Sequence, residues 1–193
     1  MTDTAYDPRP DYLRALDQLG KVVALVTPDL LDRPTPCEEY DLRALLSHTL
    51  GGIHRIAYVG EGGRSLDVAA AAGEIEDDGW GPALERAKAR AQAAWAADGT
   101  LDRPAEVPWG RIPGRFALAG YVMEAVTHTW DIARVVDAST VLDEELALGA
   151  LAVAEQVLPA EPRGGDLPFG PVRPAPEGAD ATTRLAAWLG RAV

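Results

Sequence analysis

The stretch that most limits what this chain can become is residues 120–136, GYVMEAVTHTWDIARVV. At helical spacing, Tyr121, Ala125, Ile132 and Val135 fall on one stripe, the face that a helix turns toward a core. Glu124, His128 and Asp131 fall on the same stripe. Glu124 and His128 are four apart, so they project the same way from adjacent turns. A carboxylate and an imidazole aimed at an apolar interior are costly unless compensated, and one metal ion compensates both. The fold must therefore bury this helix and bring something to these two side chains.

The remaining segments supply helices to bury it against. After a loose arm of residues 1–10, the spacing predicts a helix over 11–26, with Leu13, Leu16 and Val23 inward and Pro28 limiting its continuation. Thr35, Pro36 and Glu38 fit a capping box around a turn at 35–39, and Asp41 is a second candidate cap. A main helix is expected over 41–59, with a core stripe of Leu45, His48, Thr49, Gly52, Ile56 and Val59. Gly51 and Gly52 in its middle each cost up to about 1 kcal/mol against alanine, which close approach of another helix would explain. Residues 60–79 read as a loop with a short turn at 67–72. A third helix is expected over 80–97, with Gly99 at its end.

The segment VPWGRIPG within 99–117 is turn chemistry around a short hairpin. Beyond the opening helix, a fifth is expected over 143–158. Six prolines then make 159–178 extended coil, and a short helix over 180–190 docks through Leu185, Trp188 and Leu189. These expectations describe one domain, residues 8–193. It is an all-α four-helix bundle (11–158) with an additional C-terminal helix and an extended Pro-rich tail.

Composition excludes several classes. The net charge is −12 and no basic run interrupts it, against a nucleic-acid surface. No apolar run approaches the ~20 residues of a membrane span, and the start lacks the charge and hydropathy of a signal peptide. The single cysteine, Cys37, cannot form an internal disulfide. A cytoplasmic protein is expected. Glu38 and Glu39 beside Cys37 work against a thiolate, so it reads as a structural residue of its turn.

The chain has three histidines. His48 lies on the inward stripe of the second helix. His54, six positions later and about 120° round that helix, does not share its direction. If the second and fourth helices are neighbours, His48, Glu124 and His128 converge. Two imidazoles and a carboxylate suit zinc with a fourth position open, and equally non-haem iron, nickel or cobalt. A core histidine satisfied by ordinary hydrogen bonds is the competing reading. Asp131 either accepts from the far nitrogen of a ligand imidazole or pairs with Arg134.

The segments PTPCEEYDLRALLSHTLGG, EAVTHTWDIAR and PFGPVRP…RLAAWLGR resemble actinobacterial metal-binding proteins of the DinB-like superfamily. Their best-known relative is the metal-binding N-terminal domain of mycothiol-dependent maleylpyruvate isomerase. The resemblance runs over about residues 8–192. It implies a DinB-like bundle in which His48, Glu124 and His128 hold a divalent metal, most often Zn2+, with Ni2+, Fe2+ and Co2+ as alternatives. It also implies mycothiol or another low-molecular-weight thiol as co-substrate. Only two of the 18 basic residues are lysine, which accords with an actinobacterial source. Tyr40 stands where the family often has tryptophan.

Only residues 159–193 follow the fifth helix, whereas the isomerase carries a separate C-terminal domain, so isomerase activity itself is not expected. The expected function is thiol S-transfer through a metal-bound thiolate onto an electrophilic small molecule. The alternatives are a metal-water hydrolase and a non-catalytic metal-binding or stress-response module. No nucleic-acid or membrane partner is expected. The protein is read as a monomer or homodimer, with Val122, Val126 and Trp130 as further bundle core or a subunit contact.

Overall fold

Aspartates set the starts of three helices. Asp41 accepts from the Ala44 N–H (2.8 Å), Asp143 from Leu146 (3.0 Å) and Asp180 from Thr183 (2.7 Å). Each side chain satisfies a donor that a helix otherwise leaves open. In the computed structural model, which describes residues 6–137, 139–163 and 169–193, the elements follow in chain order. They are α1 (Arg9–Val23), α2 (Leu42–Gly60), α3 (Trp80–Ala94), the single turn α4 (Gly99–Asp102), and strands β1 (Pro104–Val107) and β2 (Gly110–Pro113). Then come α5 (Gly114–Val136), α6 (Glu144–Val157) and α7 (Ala181–Trp188). The fold is all-α, with the antiparallel β1–β2 hairpin as its one sheet among the described residues.

Helices α1, α3, α2 and α5 form a ring in which each packs on the next, and α6 and α7 cover α5 from outside. Leu16 and Leu19 of α1, Leu45 and Ile56 of α2, Leu84 of α3, and Leu118 and Ile132 of α5 are fully buried at the centre. Each such side chain removed from water is worth about 1.5–3 kcal/mol. No described helix is long and apolar enough to cross a membrane.

Several boundaries differ from the sequence expectation for identifiable reasons. Helix α1 begins within the expected arm and ends at Val23, while Pro28 opens a single 3-10 turn of its own. The turn expected at 35–39 is present, closed by the Tyr40 N–H on the Cys37 carbonyl (2.8 Å), but it does not start a helix. Thr35 Oγ1 accepts from the Cys37 N–H (3.2 Å) and donates to the Tyr40 carbonyl (2.8 Å), so it stabilises a bend, and the cap is Asp41. The short turn expected at 67–72 lies at Ser65–Asp67.

Gly51 is required by a loop, not by a helix. A Cβ there would lie 2.3 Å from the Ala70 carbonyl oxygen. The 60–79 segment folds back along α2, where the Ala72 N–H meets Ser47 and Arg55 donates to the Val68 carbonyl.

Gly99 does not end α3, which closes at Trp95; it opens α4. The largest difference is the start of α5 at Gly114, six residues before the stretch that the pattern isolates. The hairpin delivers the chain there, and the Gly114 N–H donates to the Arg103 carbonyl (2.9 Å). A Cβ on Gly114 would sit 2.2 Å from the Thr100 carbonyl oxygen, so glycine lets the helix begin against α4.

Candidate metal centre

His48 lies on the α2 face toward α5, and the packing of these two helices brings it to Glu124 and His128. One donor atom from each of the three lies within 4.8 Å of the others. His128 Nε2 is 3.5 Å from Glu124 Oε2. The His48 and His128 rings meet edge to face, with centroids 5.3 Å apart and planes at 89°. Tyr40 stacks on the His48 ring, with centroids 5.0 Å apart, and limits its rotation. Tyr12, Thr49, Gly52, Ile53, Tyr121 and Ala125 complete the wall of a cavity of about 20 Å³. Glu124 keeps 31% of its side chain exposed, against 8% for His128, so the carboxylate marks the way in.

His128 is braced from behind. Its Nδ1–H donates to Asp131 Oδ2 (3.0 Å), which leaves Nε2 for the cavity. Asp131 is wholly buried. Its second partner is Arg191, beyond the end of α7, whose Nε and Nη2 donate to the two carboxylate oxygens at 3.2 and 3.0 Å. Arg191 is itself buried; its Nη1 donates to the Leu189 carbonyl and its backbone N–H to the Ala186 carbonyl. Gly190, at φ +89°, makes the turn that aims it inward. Arg134 is not the partner of Asp131; its guanidinium lies 5.4 Å from the centre of the Trp130 ring. Arg191 is the residue that sequence reasoning missed. It sits 60 positions from Asp131, on no periodic stripe, and only the docking of α7 brings the two together.

Burial opposes charge on every member of this cluster, and the neighbours decide the outcome. For Asp131, the His128 hydrogen bond and the Arg191 charge outweigh burial and hold the carboxyl below its usual value. Burial is likewise outweighed at Glu124, through His128 first and then His48, and its carboxyl is lowered. Burial and then the charge of His128 push His48 down. At His128, burial is outweighed by hydrogen bonds to Asp131 and Glu124, and its pKa is pushed up to about 9. The protein by itself therefore holds a proton between two carboxylates, at the point where a cation is stabilised. One anionic oxygen and two imidazole nitrogens converging there form a donor set that fits a divalent metal.

The other candidates lie outside this group. His54 is not among the clustered donors and is half-buried on α2; burial and then Arg90 push its pKa down. Cys37 packs half-buried against the core, and burial pushes its thiol up to about 11.

A ring of four helices with imidazole and carboxylate donors on two facing members defines a class of helical protein built around a candidate metal site. The chain belongs to the mycothiol maleylpyruvate isomerase N-terminal domain family, within the DinB-like superfamily, and the family match covers residues 12–133. All three candidate ligands lie inside that match, and Arg191 lies beyond it. Two similar proteins come from Mycobacterium tuberculosis, strains CDC 1551 / Oshkosh and ATCC 25618 / H37Rv. Each is 34% identical over 191 residues, covering 97% of this chain and 99% of the relative, and each is named only as an uncharacterized protein. No solved structure matches.

Proposed function

We propose that this protein binds a divalent metal through His48, Glu124 and His128 and transfers a low-molecular-weight thiol, mycothiol by its family, onto an electrophilic small molecule. The observation that carries this reading is the convergence of the three donor atoms on one cavity, with no fourth protein donor beside them among the described residues. Zinc suits that set best, with nickel, iron(II) and cobalt as alternatives. A bound metal ion would supply the positive charge that favours the deprotonated form of a thiol entering beside it.

The chain's own residues do the rest. Asp131 and Arg191 fix the direction of the His128 ring, and Tyr40 fixes that of His48. Glu124 faces the entrance. Cys37 keeps its proton at neutral pH, so the sulfur nucleophile comes from outside. In the reaction a sulfur–carbon bond forms as the bond from that carbon to its leaving group breaks, bromide in the case of monobromobimane, and the thiol proton is lost to solvent. Such a protein works in the cytoplasm on small molecules, as a monomer or homodimer, without nucleic-acid or membrane partners.

One observation favours a second reading. The cavity itself, about 20 Å³, has room for one water-sized group, and a thiol of mycothiol size would have to extend out of it through the open side. A non-catalytic metal-binding module needs nothing larger, and a metal-water hydrolase needs only that water at the ion. Purified protein separates the readings when its metal content is measured and it is then mixed with mycothiol and monobromobimane. Metal-dependent bimane conjugation that is lost in His128→Ala supports the transferase. Bound metal with no conjugation favours the module, and a wild-type protein that takes up no metal overturns both.

A further inference from the structure

Tyr12 lies in the first turns of α1, a helix that contributes nothing to the three donors. Tyr12 is a wall residue of the same cavity as His48, Glu124 and His128. Tyr12 is 3% exposed, and its hydroxyl has no hydrogen-bond partner among the described residues. A phenylalanine would fill the same space without that unpaired group, so the hydroxyl is carried at a cost. Other buried polar atoms lack partners, including the indole N–H groups of Trp80, Trp130 and Trp188. Among them, only the Tyr12 hydroxyl belongs to a residue on the wall of this cavity.

The neighbouring groups define what the hydroxyl can do. Thr49 on the same wall is spent, because its Oγ1 donates to the Leu45 carbonyl at 2.8 Å. Asp131 is already occupied in accepting from His128 and Arg191. Burial pushes the Tyr12 phenol well above its ordinary range, so it keeps its proton and acts as a donor.

We propose that Tyr12 is a further ligand-binding residue of this site, donating a hydrogen bond to the anionic sulfur or oxygen ligand that enters the cavity beside Glu124 and His128. The inference rests on the metal-binding reading above. It adds a selection rule, namely that the cavity takes an anion that accepts a hydrogen bond from the α1 side.

The test uses the full chain loaded with cobalt(II), whose absorption spectrum reports on its ligands. Azide and 2-mercaptoethanol are titrated into wild type, Tyr12→Phe and Tyr121→Phe, the last as a second phenol of the wall. Tyr12→Phe is expected to weaken both probes roughly tenfold or more, as for loss of a hydrogen bond to a charged group, and to leave cobalt affinity within about twofold. The metal-free Tyr12→Phe protein is expected to melt no lower than wild type, because the lost hydroxyl has no partner in the fold. Unchanged probe affinity in Tyr12→Phe overturns the proposal, as does equal weakening in Tyr121→Phe or a melting point several degrees lower in the metal-free variant. A wild-type protein that binds no cobalt sinks the metal reading and this inference with it. Cobalt binding with a silent Tyr12→Phe sinks only the role of Tyr12.

Discussion

Asp131 is a charged group with no access to water. It is wholly buried, and two cations, Arg191 and protonated His128, answer it. Removing one partner of a buried pair leaves an uncompensated charge, so Arg191→Ala is expected to destabilise the fold by about 3–5 kcal/mol. Chemical denaturation reads that loss directly. The double variant Asp131→Leu/Arg191→Met removes both charges and is expected to recover most of it; an additive loss would mean the two residues act separately.

At this scale the candidate metal-binding residues were legible and the brace behind them was not. Glu124 and His128 stand out because a helical stripe makes charged residues on a core face conspicuous. His48 follows because few other partners exist in a chain with three histidines. Asp131 could be read two ways from sequence. Arg191 left no pattern, because an arginine beyond the end of a short helix looks like any surface cation.

The adjacent glycines of α2 offer a test at the scale of the element, because they face different things. A methyl on Gly51 would strike the Ala70 carbonyl at 2.3 Å, whereas one on Gly52 would meet the Tyr121 ring at an ordinary 3.8 Å. Gly51→Ala is expected to cost about 1–3 kcal/mol through forced displacement of the loop. Gly52→Ala is expected to gain up to about 1 kcal/mol from helix propensity. Melting temperatures shifting in opposite directions check both, and a gain in both would mean the loop yields freely.

The caps give a second test. Burial opposes ionisation of Asp180, but hydrogen bonds from Thr182 and Thr183 outweigh it; at Asp143 the Leu146 N–H and Arg14 do the same. Both carboxyls sit below their ordinary values when folded. Their stabilisation is therefore present above the unfolded value, near pH ~4, and is lost as pH falls through the lower folded values. Asp180→Ala is expected to cost about 1 kcal/mol at pH 7, and that difference should shrink as urea midpoints are followed from about pH 5 down to pH 2.5. A difference independent of pH would exclude the carboxylate as the cap.

Six of the seven described helices and their order were legible here because apolar spacing marks their segments, but the single turn α4, too short to carry a stripe, was not. The start of α5 was not. Gly114 and the exposed Phe116 carry no stripe, and the backbone contact that fixes the boundary lies on Thr100, fourteen residues earlier.

For the whole molecule, the bundle was readable from its four long amphipathic segments, but the ring order of the helices was not. Periodicity says which face is buried and not against which neighbour. The convergence of α2 on α5 is the fact on which the site depends, and it is a property of packing alone. That dependence has a global consequence. A ligand that binds only the folded chain stabilises it by about 2.7 kcal/mol at a hundredfold excess over its Kd. Zinc is expected to raise the melting temperature of wild type, EDTA to reverse the rise, and His128→Ala to remove it. A shift that persists in His128→Ala would place the ion elsewhere.

Charge within the pocket carries the matter one step further. With His128 protonated, its charge and that of Arg191 balance the carboxylates of Glu124 and Asp131. A divalent ion that takes the place of the His128 proton leaves the same region with one surplus positive charge. Surplus charge in a water-poor interior is expensive, and one monovalent anion cancels it. On the charges of these four side chains, a metal-loaded site would favour a monovalent anion as the fourth ligand.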